Sequence, residues 1–245
     1  MSIRWEFQYT RQFEWLKDTR NFLYKKIQIG LQKHILEPGC STALLTEEIG
    51  KRIDGIAVGV DNDLTILERA KKREKNLSLV CGDVYSLPFK KDSFDSIIFQ
   101  FFLLWVKHPE DALGEMMRTL MKKGYISAIA EPDYGGRIDF PQSIDYSMYI
   151  QEKLKEEGAD PHIGRKLEYL FRKSSLTQIQ WGLSSIPYGI REVQRNFEDE
   201  WKFIERLSPK GLNEERELMR SEERELIKEG KRSYFMPVFY CVGKK

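Results

Sequence analysis

Residues 34–43 read HILEPGCSTA: an apolar run ending in a carboxylate, then a tight turn of small residues, then the start of a helical pattern. A short β-rich run followed at once by Pro38, Gly39 and Cys40 is a strand (33–37) that turns directly into a helix. Ser41 stands where an N-cap accepts a backbone N–H, the helix runs to about Ile49, and Gly50 closes it. Such a turn lets backbone N–H groups approach a ligand closely at the helix start.

Working outward, the same grammar repeats. Residues 55–60 (GIAVGV) form a second apolar strand ending at Asp61, and Asp63 caps a helix whose Leu64, Leu67 and Ala70 share one face. Residues 77–81 make a third strand reaching Gly82 and Asp83, and 96–101 a fourth. Pro109 opens a helix with the apolar stripe Leu113, Met116, Met117 and Leu120, closed before Gly124, and 125–130 is a fifth strand. Strands alternating with helices in this way build a parallel sheet covered by crossover helices, an α/β protein.

Outside this block the pattern changes. Residues 4–30 read as aromatic-rich helix, with Trp5, Tyr9, Phe13, Trp15, Phe22 and Tyr24, and 1–30 is expected to form a helical cap on a domain spanning 31–245. Residues 143–174 read as two inserted helices separated by Gly158, Asp160 and Pro161. A strand at 177–183, a charged helical stretch at 193–229 and a last strand at 235–242 follow.

The chain has 245 residues, and 40 Lys plus Arg against 38 Asp plus Glu leave a net charge of +2. No global field draws it onto polyanions, which disfavours nucleic acid as a partner. Cys40, Cys81 and Cys241 are an odd, scattered set in apolar surroundings. That excludes a disulfide framework and a zinc knuckle, and fits a reducing cytoplasm. The three histidines have no metal-ligand spacing, so no metal is expected. No apolar run reaches the roughly 18 residues of a membrane span, and the N-terminus does not read as a secretion signal.

Three acids, Glu37, Asp61 and Asp83, top three successive strands on the edge where open sheets bind ligands. Asp61 lies 22 residues after Gly39, where a carboxylate meets ribose hydroxyls. The turn lacks the spaced glycines of a pyrophosphate site and the lysine of a P-loop, so a nucleoside cofactor without phosphates fits best.

The stretches ILEPGCST, VGVDND, VCGDVYSLPF and FDSIIF, within residues 33–131, resemble class I S-adenosylmethionine-dependent methyltransferases. They are similar in particular to the small-molecule branch of ubiquinone and menaquinone C-methyltransferases. The resemblance implies a Rossmann-like seven-stranded sheet in the order 3-2-1-4-5-7-6 with the last strand antiparallel. It implies S-adenosylmethionine as cofactor and S-adenosylhomocysteine as product. By position, Glu37, Gly39 and Ser41 would flank the methionyl group, Asp61 and Asn62 would hold ribose, Gly82, Asp83 and Val84 would line adenine, and Gln100 with Phe101 would sit beside the sulfonium. The family places glycines at alternate turn positions; here Ser41 and Ala43 take two of them, so Ser41 must adopt a backbone conformation that glycine reaches without strain.

The acceptor side is less legible. Phe102, Leu104 and Trp105 read either as an apolar acceptor wall or as the start of a core helix, and Tyr9 and Trp15 are candidates for a lid. Asp133 and Tyr134 could orient or deprotonate an acceptor, though turn chemistry explains them equally well. The expected function is methyl transfer to a small molecule. An RNA or protein methyltransferase and a non-catalytic binding protein of the same fold are the rivals.

Overall fold

Apolar runs long enough only for strands, the central ones buried between helices, set the architecture. The computed structural model describes residues 6–245 apart from Pro187 and 209–212. Trp5 therefore lies outside the described residues. Two N-terminal helices, α1 (Glu6–Trp15) and α2 (Lys17–Lys26), lead into β1 (His34–Pro38), α3 (Leu44–Gly50), β2 (Ile56–Asp61), α4 (Leu64–Arg73), β3 (Ser78–Cys81) and β4 (Phe94–Phe99). Next come α5 (Pro109–Thr119), β5 (Leu120–Pro132), β6 (Ile138–Phe140), α6 (Ser147–Glu156), α7 (Ile163–Lys173) and β7 (Thr177–Leu183). The chain ends with α8 (Ile190–Arg206), α9 (Glu214–Lys228), β8 (Ser233–Phe235) and β9 (Val238–Lys244).

Seven strands form one sheet in the order β3-β2-β1-β4-β5-β9-β7. The pairs β1/β2, β1/β4, β2/β3 and β4/β5 are parallel, while β9 runs antiparallel to both β5 and β7. Counted within the sheet alone this is 3-2-1-4-5-7-6 with an antiparallel last strand, the order the resemblance implies. Register fixes the working edge: Glu37 pairs with Gly59, and Asp61 with Cys81, at the carboxyl ends of the parallel strands. No helix among the described residues is long and apolar enough to cross a membrane.

Several local expectations are corrected. The helix after β1 starts at Leu44 rather than at Ser41, because both Ser41 (φ 47°) and Ala43 (φ 56°) are left-handed and cannot continue a right-handed helix. Strand β5 begins at Leu120, not 125, because the backbone leaves helical geometry directly after Thr119 and pairs with Phe94. Cys81 is exposed on the edge strand β3 rather than packed, while Cys40 and Cys241 are buried. The Asp63 cap is present, its side chain accepting from the N–H groups of Thr65 and Ile66.

The 143–174 segment divides at Gly158 as read, into α6 and α7. Helix α7 buries Ile163, Leu167, Leu170 and Phe171, an i, i+4, i+7, i+8 stripe, and packs on β5, β7 and β9 as a crossover helix of the sheet.

A second, two-stranded sheet pairs β6 with β8, and buried charges fasten it. Arg232, fully buried, bonds Asp139 (2.5 Å) and Glu223 (2.7 Å), and Glu223 also accepts from the Trp201 indole at 2.6 Å. Arg137 bonds the other Asp139 oxygen (2.8 Å) and Glu200 on α8 (2.7 Å). Removing one member of such a network strands the other charges without water. The variant Arg232→Met is expected to lose about 3–5 kcal/mol of unfolding free energy in chemical denaturation. A loss below about 1 kcal/mol would contradict this role for the network.

Candidate active site

The turn after β1 is left-handed at three alternate positions: Gly39 (φ 65°), Ser41 (φ 47°) and Ala43 (φ 56°). Gly39 has a second constraint, since a β-carbon there would lie 2.1 Å from the Phe102 ring. For Ser41 and Ala43 the conformation costs roughly 1–2 kcal/mol each, so something must hold it. Asp61 at the end of β2 does so: one oxygen accepts the Ser41 N–H (2.9 Å), the other the Asp63 N–H (3.0 Å). A carboxylate has about four lone-pair sites, so Asp61 retains acceptor capacity on the open side of the turn.

This turn forms the floor of a cavity of about 1120 Å³, counted out to its mouth, at the carboxyl edge of the sheet. Glu37, Gly39 and Ser41 reach it from the β1 turn, and Asp61 and Asn62 from the end of β2. Gly82, Asp83 and Val84 follow β3, and Gln100 and Phe101 follow β4. The ten residues that the resemblance assigns to the cofactor thus line one cleft. Tyr9, Gln12 and Phe13 of α1 cover it, and Phe102 and Trp105 close one side. Among the described residues its lining holds three acids and no lysine, arginine or histidine. The buried carbonyl oxygens of Gln12 and Gln100 have no hydrogen-bond partner there.

Burial pushes the Glu37 carboxyl up to about 8, with the nearby Asp61 charge adding to the rise, although the Thr46 hydroxyl donates to it and holds it down. Burial and the Asp61 charge likewise raise the Tyr9 phenol, which stays protonated.

A second cavity of about 500 Å³ adjoins the first, and Gln12 and Phe101 belong to the walls of both. Trp15 and Tyr134 line this second chamber rather than the first. Its remaining walls come from Arg11, Arg137, Ile186, Tyr188, Asn196, Glu200, Phe203, Tyr234 and Met236. Tyr134 stacks on Phe203 at 6.2 Å, and burial raises its phenol, so it stays protonated and presents an O–H. Burial alone would raise Glu200, but Arg137 and Arg11 bring it down to about 2.

Two of the residues singled out in the sequence fall outside both cavities. Asp133 is held by Arg165 (2.5 and 2.8 Å), with His162 Nδ1 3.4 Å away, so its carboxylate is engaged elsewhere. Leu104 is buried in the turn after β4, its N–H donating to Glu131. Glu131 itself had gone unread: it is fully buried and accepts the N–H groups of Phe102 (2.9 Å), Leu103 (3.0 Å) and Leu104 (3.2 Å), fixing the wall between the chambers. Burial raises it to about 7 against the pull of those three bonds. Its signal, a lone acid closing an apolar strand, was visible. Gln12, Arg11, Arg137, Glu200, Tyr188 and Tyr234 carried no comparable mark.

Comparison with known proteins bears on the fold and the domain. Residues 36–128 match the family described as "Methyltransferase domain". The demethylmenaquinone methyltransferase of Listeria monocytogenes is 29% identical over 214 residues, 74% of this chain and 86% of that protein. That of Staphylococcus haemolyticus is 34% identical over 119 residues, 46% of this chain and 50% of that protein. The chain spans about half the length, or less, of several other curated relatives it matches. Among solved structures, Haemonchus contortus phosphoethanolamine N-methyltransferase 2, in complex with phosphomonomethylethanolamine and S-adenosylhomocysteine, superposes with a TM-score of 0.60 at 12% identity. That match covers 93% of this chain and 52% of the other. Sheet order, left-handed turn and acid-tipped strand ends define a class I methyltransferase fold. The chain carries a methyltransferase-domain match over residues 36–128 and is similar to demethylmenaquinone methyltransferases.

An acid raised in the folded state binds protons that the unfolded chain has released, so it makes stability fall as pH rises between its two values. For Glu37 that window runs from its ordinary 4.5 to about 8. Between pH 5 and 8 the ligand-free protein is expected to lose stability relative to Glu37→Gln, by on the order of 2–4 kcal/mol, in denaturation at stepped pH. Parallel curves for the two proteins would show that Glu37 is ordinary.

Proposed function

We propose that this chain transfers the methyl group of S-adenosylmethionine to a small-molecule acceptor seated in the second cavity. One observation carries the reading: the first cavity gathers three acids and no cationic side chain among the described residues, and shares a wall, Phe101 and Gln12, with a second chamber. A cationic nucleoside without phosphates matches the first cavity, whereas a dinucleotide would leave its phosphates without a counter-charge. The unpartnered Gln12 and Gln100 carbonyls and the open side of Asp61 supply the acceptors that such a group needs.

Asp61 and Asn62 would hold the ribose hydroxyls, Asp83 and Val84 would border the base, and Glu37, Gly39 and Ser41 would take the methionyl end. When bound, the cofactor supplies an activated methyl whose carbon bonds the acceptor's electron pair while the carbon–sulfur pair leaves with sulfur. The protein's share is alignment. Glu131 fixes the wall across which the acceptor approaches, and Tyr134, protonated, orients an acceptor oxygen or nitrogen. Glu37 loses its proton as the cation arrives, since a positive charge nearby favours the carboxylate. Among the described residues no carboxylate lining the second chamber is free to act as base, because Glu200 is committed to two arginines. Acceptors that need no early deprotonation are therefore favoured. Demethylmenaquinone methyltransferase relatives support a small acceptor.

Calorimetry with S-adenosylhomocysteine tests the first half. Asp61→Ala is expected to weaken binding by about 1.5–3 kcal/mol, and Asp61→Asn, which retains one acceptor for the Ser41 N–H, by less. Absence of binding to the wild-type chain would end the reading. Release of S-adenosylhomocysteine over a panel of small acceptors tests the second half.

A further inference from the structure

Resting on the methyl-transfer reading, we propose that the second cavity takes its acceptor as a small organic acid. An apolar, ring-sized body lies among the aromatic walls, and a carboxylate is received by the Arg11 guanidinium.

Arg11 is the reason. Its Nη2 donates to Glu200 Oε2 at 2.8 Å, but Nε and Nη1 are buried and have no acceptor. Buried donors left unmatched are rare because each forfeits its bonds to water, and those of a charged group are the most costly. The guanidinium lies over the Trp15 ring, 4.3 Å from its centroid, so its plane is held and does not swing out to solvent. Trp15 is thereby a platform for Arg11 rather than a lid.

Donor counting fixes the class of anion. Arg137 is saturated: it bonds Asp139 through two nitrogens and Glu200 through the third, with the Tyr146 and Tyr234 rings each 4.5 Å from its carbon. Asp139 answers Arg137 and Arg232 and does not line the chamber. The network that Arg11 joins is balanced, Arg11, Arg137 and Arg232 against Glu200, Asp139 and Glu223, and its unmatched donors facing the chamber's occupant are the Arg11 Nε and Nη1 groups. Two donors on one planar group suit a carboxylate; a phosphate dianion would bring a second charge with no partner. The rest of the chamber, with Trp15, Phe101, Ile186, Phe203 and Met236, is apolar, as suits a hydrocarbon or aromatic body.

The test uses the full chain saturated with S-adenosylhomocysteine, whose own binding is measured first. Failure at that step condemns the methyl-transfer reading, separately from the acid. Fluorine NMR then follows 4-fluorobenzoate, its neutral isostere 4-fluorobenzamide, and inorganic phosphate as competitor. The expected result is saturable benzoate binding, with benzamide weaker by about tenfold or more, as the loss of a charge-assisted bond implies. Phosphate does not displace benzoate. Arg11→Met abolishes benzoate binding while leaving S-adenosylhomocysteine affinity within about twofold, and Arg11→Lys retains part of it. Should Arg11→Met fail to fold, the benzoate–benzamide comparison on the wild-type chain decides alone. Equal binding of benzamide, no binding of benzoate, unchanged binding in a folded Arg11→Met protein, or displacement by phosphate would each overturn the proposal.

Discussion

The site depends on the bond between Asp61 and the Ser41 N–H. A turn that is left-handed at Gly39, Ser41 and Ala43 is intrinsically unfavourable at the two residues with side chains. The carboxylate offsets that cost from the neighbouring strand, so the same side chain that shapes the floor also faces the cleft. On the proposed function, a structural and a binding role are merged in one residue. Parallel pairing of β1 with β2 makes this possible, because it places the end of one strand beside the turn of the next.

A second carboxylate performs a parallel task across the cleft. Glu131, at the end of β5, gathers three consecutive N–H groups of the turn after β4 and so sets Phe101 and Phe102, the first shared by both chambers and the second packed against Gly39. The floor and the partition are thus each held by an acid at a strand end. Removing either would leave backbone donors without partners in a buried turn, which is why small distortions there would propagate to both cavities.

What the sequence disclosed follows from which constraints are local. Central strands read as continuous apolar runs, and residues at their carboxyl ends inherit their positions from the sheet, so, although Gln100 came only with the resemblance, the shared edge of Glu37, Asp61 and Asp83 was legible in the sequence. The second chamber was not, because it is assembled across great sequence distance: Arg11 meets Glu200, 189 residues away, on a helix whose charges look like any solvated face. Three-residue strands such as β6 and β8 carry too short a pattern to show a period, yet they deliver Arg137 and Tyr234 to the chamber. Asp133 misled for the opposite reason. It stands at a strand end, like the acids that do line the cleft, but Arg165 from α7 takes both its oxygens.

The two chambers differ in the sign of what they lack. The first offers carboxylates and carbonyls without a cation, the second a guanidinium without a full set of acceptors, and a thin wall of Gln12 and Phe101 separates them. In a medium of low dielectric, opposite ligand charges on the two sides of that wall would attract, so each occupant would strengthen the hold on the other. A positive donor would favour an anionic acceptor beyond whatever each chamber contributes alone, and once the methyl leaves, the donor's sulfur loses its charge and that attraction with it. On the methyl-transfer proposal, that loss of charge would weaken the hold of each chamber on its product.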